Sequence, residues 1–275
     1  MKVVRLTDRH APAIEERLLD APPVNLFLLG YLDAIPIARA TWYGVPREDG
    51  ALAGLVMLVP GRLAVPWCPE PEAADALGRT LHGRHRPCMM VGPREACDAL
   101  WAAWAPADTP VDRWHDQRLY VCDQAPAGEP LRGFRRAVVA DLEQVVAQSA
   151  AMEWEDVGRR VLEADPGAYR AVVQRRIEAG QTWVLDRDGE LHFQINVGTV
   201  TRWGVQVGGT YVPPAHRGQG LATAGMKELC RRLLGRHRMV TLHVNEANTP
   251  AVHVYERAGF RPHTAYRLVT LREDA

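Results

Sequence analysis

Residues 212–222 read Val-Pro-Pro-Ala-His-Arg-Gly-Gln-Gly-Leu-Ala and lie between a strand-like run and a helix-like run. A helix start offers about four unpaired N–H groups and the positive end of a dipole. Glycines let that backbone curl around an anion and approach it closely. Gly218 and Gly220, with the small Ala222, supply the clearance, so the loop suits a phosphate or pyrophosphate. No Gly-Lys-Ser/Thr follows, which excludes a Walker loop, and the glycine spacing is wrong for a dinucleotide fold. The same residues also suit an ordinary strand-to-helix turn. Downstream, Lys227, Arg231, Arg232, Arg236 and Arg238 fit a solvated helix face with a cationic end; one or two of them are close enough in sequence to serve a peripheral phosphate. No cluster of His, Cys, Asp or Glu has metal-ligand spacing, so no metal is expected. No nucleophilic triad is legible.

The elements around this loop follow from periodicity. Residues 182–186 read as a strand, and 188–189 as an Asp-Gly turn. Residues 192–200 alternate, with Phe193, Ile195 and Val197 on one face and His192, Gln194 and Asn196 on the other, which predicts a half-buried antiparallel strand. Residues 205–212 form a third strand, and Gly208-Gly209 inside it suggests a bulge or close backbone approach. Residues 221–234 predict a helix, 239–244 a buried strand, 250–258 a short helix with Pro250 first and Gly259 just past its end, and 267–271 a closing strand. The sum is an α+β sheet, mostly antiparallel with a central parallel pair.

The first half begins in the same way as the second. Residues 3–6 and 134–138 are strand-like, each followed by a helical stretch, the second carrying Leu142, Val145, Val146 and Ser149 on one stripe. Thr41-Trp42 leads to Asp49-Gly50, as Thr182-Trp183 leads to Asp188-Gly189. This pattern fits two copies of one fold. The Pro-rich stretch 123–130 continues neither helix nor central strand and marks a linker. Domains are expected at 1–125 and 131–275.

Composition bounds the function. The 275 residues carry 33 Lys plus Arg against 33 Asp plus Glu, and a neutral chain lacks the basic excess of bulk nucleic-acid binding. No apolar run reaches the roughly 20 residues of a membrane helix. Residues 1–10 carry charges where a signal peptide would be apolar. The five cysteines are odd in number and form no C-x-x-C pair. Reduced thiols in a cytoplasmic protein are therefore expected.

Val-x-Pro-x-x-Arg-Gly-x-Gly-Leu-Ala at 212–222 resembles the acyl-CoA signature of the GNAT N-acetyltransferase superfamily. Residues 245–260, Asn-Glu-Ala-Asn-Thr-Pro-Ala-Val-His-Val-Tyr-Glu-Arg-Ala-Gly-Phe, resemble its second signature. The order and separation of the two also match, and together they cover about residues 135–271. The C-terminal half is similar to a bacterial branch with an N-terminal domain of unknown function, in the stretches 152–158, 169–180 and 240–255. Residues 68–72 of the first half, Cys-Pro-Glu-Pro-Glu, are a poor phosphate cradle, so 1–125 resembles a degenerate GNAT copy without cofactor. The fold implied is two tandem GNAT-like domains.

The resemblance implies acetyl-CoA as cosubstrate in a V-shaped opening between the strand ending at Val212 and the strand 239–244. Pantetheine would bond the backbone of Thr210, Tyr211 and Val212 like an added strand. Pyrophosphate would sit on the N–H groups of Arg217, Gly218, Gln219, Gly220, Leu221 and Ala222, and Asn248 and Tyr255 would flank the sulfur. Acyl transfer to an amine needs a deprotonated amine, a polarised carbonyl, reactants in line and a protonated leaving thiolate. Tyr255 is the candidate acid, since a phenol near pKa 10 stays protonated at working pH. A backbone N–H near Tyr211 or Val212 is the candidate oxyanion donor. For the proton acceptor or substrate contact, Glu155 comes first, with Asp156, His243 and Glu246 as alternatives. Arg170, Arg175 and Arg176 fit either an acidic substrate end or a solvated face. Trp154 and Trp183 fit an acceptor pocket or the core.

The expected activity is acetyl transfer to a primary amine of a small molecule or a protein lysine, by a monomer or homodimer without nucleic-acid or membrane partners. A non-catalytic acyl-CoA sensor or scaffold is the alternative. An aminoacyl-transferring relative that uses tRNA is disfavoured by neutral charge and the intact CoA loop.

Overall fold

The computed structural model describes residues 1–34, 37, 40–59, 61–84, 89–105, 109 and 111–271. The chain divides into two compact units. The first holds Met1–Tyr120 together with His243–Thr249 and Pro262–Ala275; the second holds Val121–Leu242 and Pro250–Arg261. No helix among the described residues is long and apolar enough to cross a membrane.

In the first unit, β1 (Val4–Arg5) precedes α1 (Ala11–Leu18) and α2 (Pro22–Ala34). The hairpin expected around Asp49-Gly50 is present as β2 (Thr41–Pro46) and β3 (Leu52–Val59). It continues through β4 (Leu63–Trp67), α3 (Pro71–Leu81), β5 (Met89–Pro93), α4 (Arg94–Trp104) and β6 (Val111–Cys122). The apolar faces of α3 and α4 close over this sheet in one cluster of Val56, Leu58, Leu77, Leu81, Cys97 and Leu100. Where a phosphate loop would stand, Glu70 is the N-cap of α3 and Pro71 its first residue. Glu70 is ion-paired to Arg47. The positive end of α3 thus already faces the chain's own carboxylates, Glu70 and Glu72.

The second unit repeats the plan. β7 (Phe134–Arg136) leads to α5 (Leu142–Val157), α6 (Val161–Ala164) and α7 (Pro166–Glu178). The hairpin β8 (Thr182–Arg187) and β9 (Glu190–Val200) follows, then β10 (Val205–Tyr211), α8 (Leu221–Leu234), β11 (Val240–Asn245), of which the first three residues belong here, and α9 (Thr249–Arg257). The last strand, β12 (Arg261–Leu271), groups from Pro262 onward with the first unit. Strand order is β1-β2-β3-β4-β5-β12-β6 in the first unit and β11-β10-β9-β8-β7 in the second.

The two copies agree in register as well as in order. β4 pairs with β5 in parallel only at Leu63↔Met89 and Ala64↔Met90. β10 pairs with β11 in parallel only at Val205↔Val240 and Gln206↔Thr241. In each, three antiparallel strands precede a helical crossover to a parallel neighbour. The architecture is α+β, mostly antiparallel sheet flanked by helices, as expected.

One expectation needs correction. The polar face of β9 is not open to water: Gln194 is fully buried. Ser149 of α5 accepts a hydrogen bond from Gln194 Nε2 at 2.9 Å. Gln144 and Gln148 of the same helix bond the backbone at Gly189 and Leu191. Alternation reveals two chemically different faces, and a helix carrying its own polar side chains covers the polar one. Cys68, Cys97, Cys122 and Cys230 are free and buried; Cys88 lies outside the described residues.

Candidate active site

β10 carries the bulge that Gly208-Gly209 suggests. Gly208 faces Asn196 and Tyr211 faces Gln194, so three steps along β10 match two along β9. The extra residue leaves ladder groups free to bond something else. Gly209 has φ +65, and a Cβ there would stand 2.5 Å from Asn196 Nδ2. Both the dihedral and the space demand glycine. On its other edge β10 leaves β11 after Gln206, before Leu242 can pair. Pairing between the two strands thus ends before the loop.

Beyond β10, residues 214–216 make a 3₁₀ turn, and Gly220 caps α8 in the left-handed region. Gly218 has φ +77 and Gly220 φ +74, and a Cβ on either would meet nothing within 4 Å. These glycines are required by the path of the backbone, and the space beside them is open. The first N–H groups of α8, at the end of this loop, have no acceptors within the helix. Lower in α8, packing dictates the residue instead: a Cβ on Gly225 would lie 2.5 Å from the Phe193 ring.

Glu155 comes to this loop from the C-terminal end of α5. Its carboxylate accepts two bonds from Arg217 Nη2, at 2.9 and 2.7 Å, and one from the Tyr211 hydroxyl at 3.2 Å. Arg217 Nε also donates to the Val212 carbonyl at 3.0 Å. Burial, and the Glu155 carboxylate after it, push the Tyr211 phenol upward against the opposing pull of Arg217. Glu155 thus holds the loop's arginine, and its oxygens are engaged by Arg217 and Tyr211.

Tyr255, on α9, is buried, and its ring meets Phe260 edge-on at 6.1 Å. Burial raises its phenol, Thr210 lowers it, and the Asp156 carboxylate raises it again. Thr210 Oγ1 is itself buried and makes no hydrogen bond of ordinary length. Asp156 has solvent-facing surface, yet crowding by protein, then Glu155 and Glu153, lift its carboxyl above the usual range. The bulged strand, the phenol and a carboxylate with raised proton affinity are therefore electrostatically linked within the second unit. Asp156 was one of several alternatives in the sequence; its link to Tyr255 has no local signature.

Other candidates are placed elsewhere. His243, Glu246 and Asn248 group with the first unit. Burial lowers His243 to about 4, its Nε2 has no partner, and its ring lies 4.2 Å from that of Tyr266. It is a neutral packing residue near neutrality. Burial would raise the Glu246 carboxyl, but Arg94 at 3.0 Å and Arg118 at 2.6 Å outweigh that and lower it. Arg170 is paired to Glu143 at 2.7 Å. Trp183 stacks on Phe134 at 5.5 Å in the core. Trp154 is half-exposed with Arg160 over its ring at 4.5 Å.

Residues 146–260, which contain the loop, the bulge and Tyr255, match the family model described as acetyltransferase (GNAT) family. These residues form a GNAT-family domain. The GNAT resemblance of the two signatures is thereby shown, and similar solved structures extend the fold to the whole chain. A Drosophila protein has TM-score 0.70 at 15% identity, with 99% of each chain covered. A GCN5-related N-acetyltransferase from Sphaerobacter thermophilus has TM-score 0.62 at 18% identity, covering 100% of this chain and 96% of that one. A tandem GNAT protein from the clavulanic acid biosynthesis pathway has TM-score 0.56 at 18% identity, with 99% of each covered. No curated protein sequence matches. The tandem GNAT fold is common to both halves; among the described residues the glycine loop belongs to the second alone.

Proposed function

We propose that this tandem GNAT protein is an acetyl-CoA-dependent N-acetyltransferase acting on a primary amine of a small molecule or a protein lysine. The observation that carries this reading is the open, doubly left-handed loop at the start of α8, set beside the β10 bulge. In this reading residues 131–275 bind the cofactor, and 1–125 are a degenerate copy that binds none. A cytoplasmic setting suits its reduced cysteines.

Acetyl-CoA would supply a thioester whose carbonyl carbon accepts the amine and whose thiolate departs. Backbone N–H groups from Arg217, Gly218, Gln219, Gly220, Leu221 and Ala222 would hold its pyrophosphate. The half-exposed Arg217–Glu155 pair contributes only about 0–1 kcal/mol, so Arg217 can exchange its carboxylate for a phosphate at little cost. The backbone of Thr210, Tyr211 and Val212 would hold pantetheine and polarise the carbonyl. Tyr255 would donate its proton to the thiolate. Asp156, with its raised proton affinity, suits acceptance of the ammonium proton; Glu155 would set the position of Arg217 and the charge that tunes Asp156.

The test is a turnover screen of acetyl-CoA against amines and lysine peptides, followed by free-thiol release. Release that depends on acceptor and on Tyr255 supports the reading. Tight CoA binding with no release on any amine would favour the sensor reading, against which the intact phenol of Tyr255 stands.

A further inference from the structure

Glu190 and His192 stand two apart on β9, so their side chains share one face. His216 ends the 3₁₀ turn immediately before Arg217. Local spacing hides this group, because 24 positions separate the two histidines; the fold brings them together. His216 Nε2 lies 2.9 Å from Glu190 Oε1, and His192 Nε2 lies 3.4 Å from Glu190 Oε2. The two imidazoles stack with centroids 3.7 Å apart and planes 10° from parallel. One ligand atom from each of the three residues lies within 4.8 Å of the other two.

We propose that Glu190, His192 and His216 form a binding site for a divalent transition metal of the zinc class. Two imidazole nitrogens and one carboxylate oxygen are a borderline donor set, suited to zinc, nickel, copper or cobalt rather than magnesium or calcium. The distances of 2.9 and 3.4 Å, each to a different oxygen of Glu190, keep both rings within reach of an ion held by that carboxylate. Near-parallel rings 3.7 Å apart cannot both direct an in-plane lone pair at one ion, so binding requires one imidazole to turn out of the stack toward the shared carboxylate. The histidine side chains are only 13% and 14% exposed, while Glu190 is 64% exposed. The ion would thus have a largely covered inner side and an open side for entry and for water.

His192 Nδ1 is buried without a partner. A ligating histidine is usually supported by an acceptor at its other nitrogen, and loss of that support costs about 10–100-fold in affinity. The site should therefore bind more weakly than a structural zinc centre. The proposal is independent of acetyl transfer, since it requires only the three side chains.

The experiment is a calorimetric titration of the full chain with zinc ion alone, repeated with His192→Ala, His216→Ala and Glu190→Gln. One saturable zinc per chain is expected, weakened at least about tenfold in each histidine variant, because losing a ligand costs no less than losing its outer support. Glu190→Gln changes an exposed side chain and keeps its shape, so it guards against loss of fold; it should also weaken binding. Cobalt(II) should give visible d–d bands in the wild type that both histidine variants lose. Absence of saturable zinc binding, or unchanged binding in Glu190→Gln or in both histidine variants, would overturn the site.

Discussion

Replacing Tyr255 by phenylalanine removes one hydroxyl from a buried ring and keeps its edge-on contact with Phe260. Affinity for CoA should therefore stay near wild type. A positioned general acid contributes roughly 10²–10⁴-fold, and turnover should fall within that range, in kcat more than KM. Steady-state kinetics on an active acceptor checks this; full turnover would make Tyr255 a packing residue. Asp156 makes a separate prediction in pH. Its carboxyl is raised by burial and by Glu155 and Glu153, and the base is active only when ionised. The acid limb of kcat/KM should thus fall at a pH above the ordinary aspartate value of about 3.9. Asp156→Asn should abolish that limb, while Glu155→Gln should shift it toward acid by removing a neighbouring negative charge. An identical limb in all three proteins would contradict the assignment.

At the scale of elements, β10 and α8 have their glycines for different reasons, and substitutions should separate them. Gly209→Ala meets both a positive φ and the Asn196 amide, so it should destabilise by at least the ~1–2 kcal/mol of a left-handed residue. Gly225→Ala drives a methyl into the Phe193 ring, an overpacking worth about 1–3 kcal/mol. Denaturant unfolding should show both losses without any ligand present. These sites also mark what was legible. The glycine loop, both Asp-Gly hairpins and the helix 221–234 were readable because backbone constraints are local. Covering of the Gln194 face, capture of Glu155 by Arg217 and the grouping of Asn248 with the first unit were not, since each depends on where a distant element docks. Asp156 stood in the right acidic stretch, but nothing local distinguishes it from Glu155.

Across the whole molecule, the first unit carries a pH dependence that the proposed chemistry does not use. An unfolded histidine takes up a proton near pH 6.5, whereas His243 resists it down to about 4. The unfolded state binds more protons within that window, so stability is full above it and falls as pH drops through it. The loss is about 3 kcal/mol at most. Urea unfolding between pH 4 and pH 6.5 should show a shallower slope in His243→Leu; an unchanged slope would remove His243 as the cause.

The two copies share hairpins and parallel register, yet among the described residues only the second opens a glycine loop onto a helix start, while α3 begins on Glu70 and Pro71. The most direct test of this asymmetry is calorimetric titration of the intact chain with acetyl-CoA, beside Gly220→Val. Valine is strained at φ +74 and fills the space in which the backbone must meet the pyrophosphate. One acetyl-CoA per chain in the wild type and none in the variant is the predicted result. Two sites of similar affinity, or undiminished binding in Gly220→Val, would contradict it.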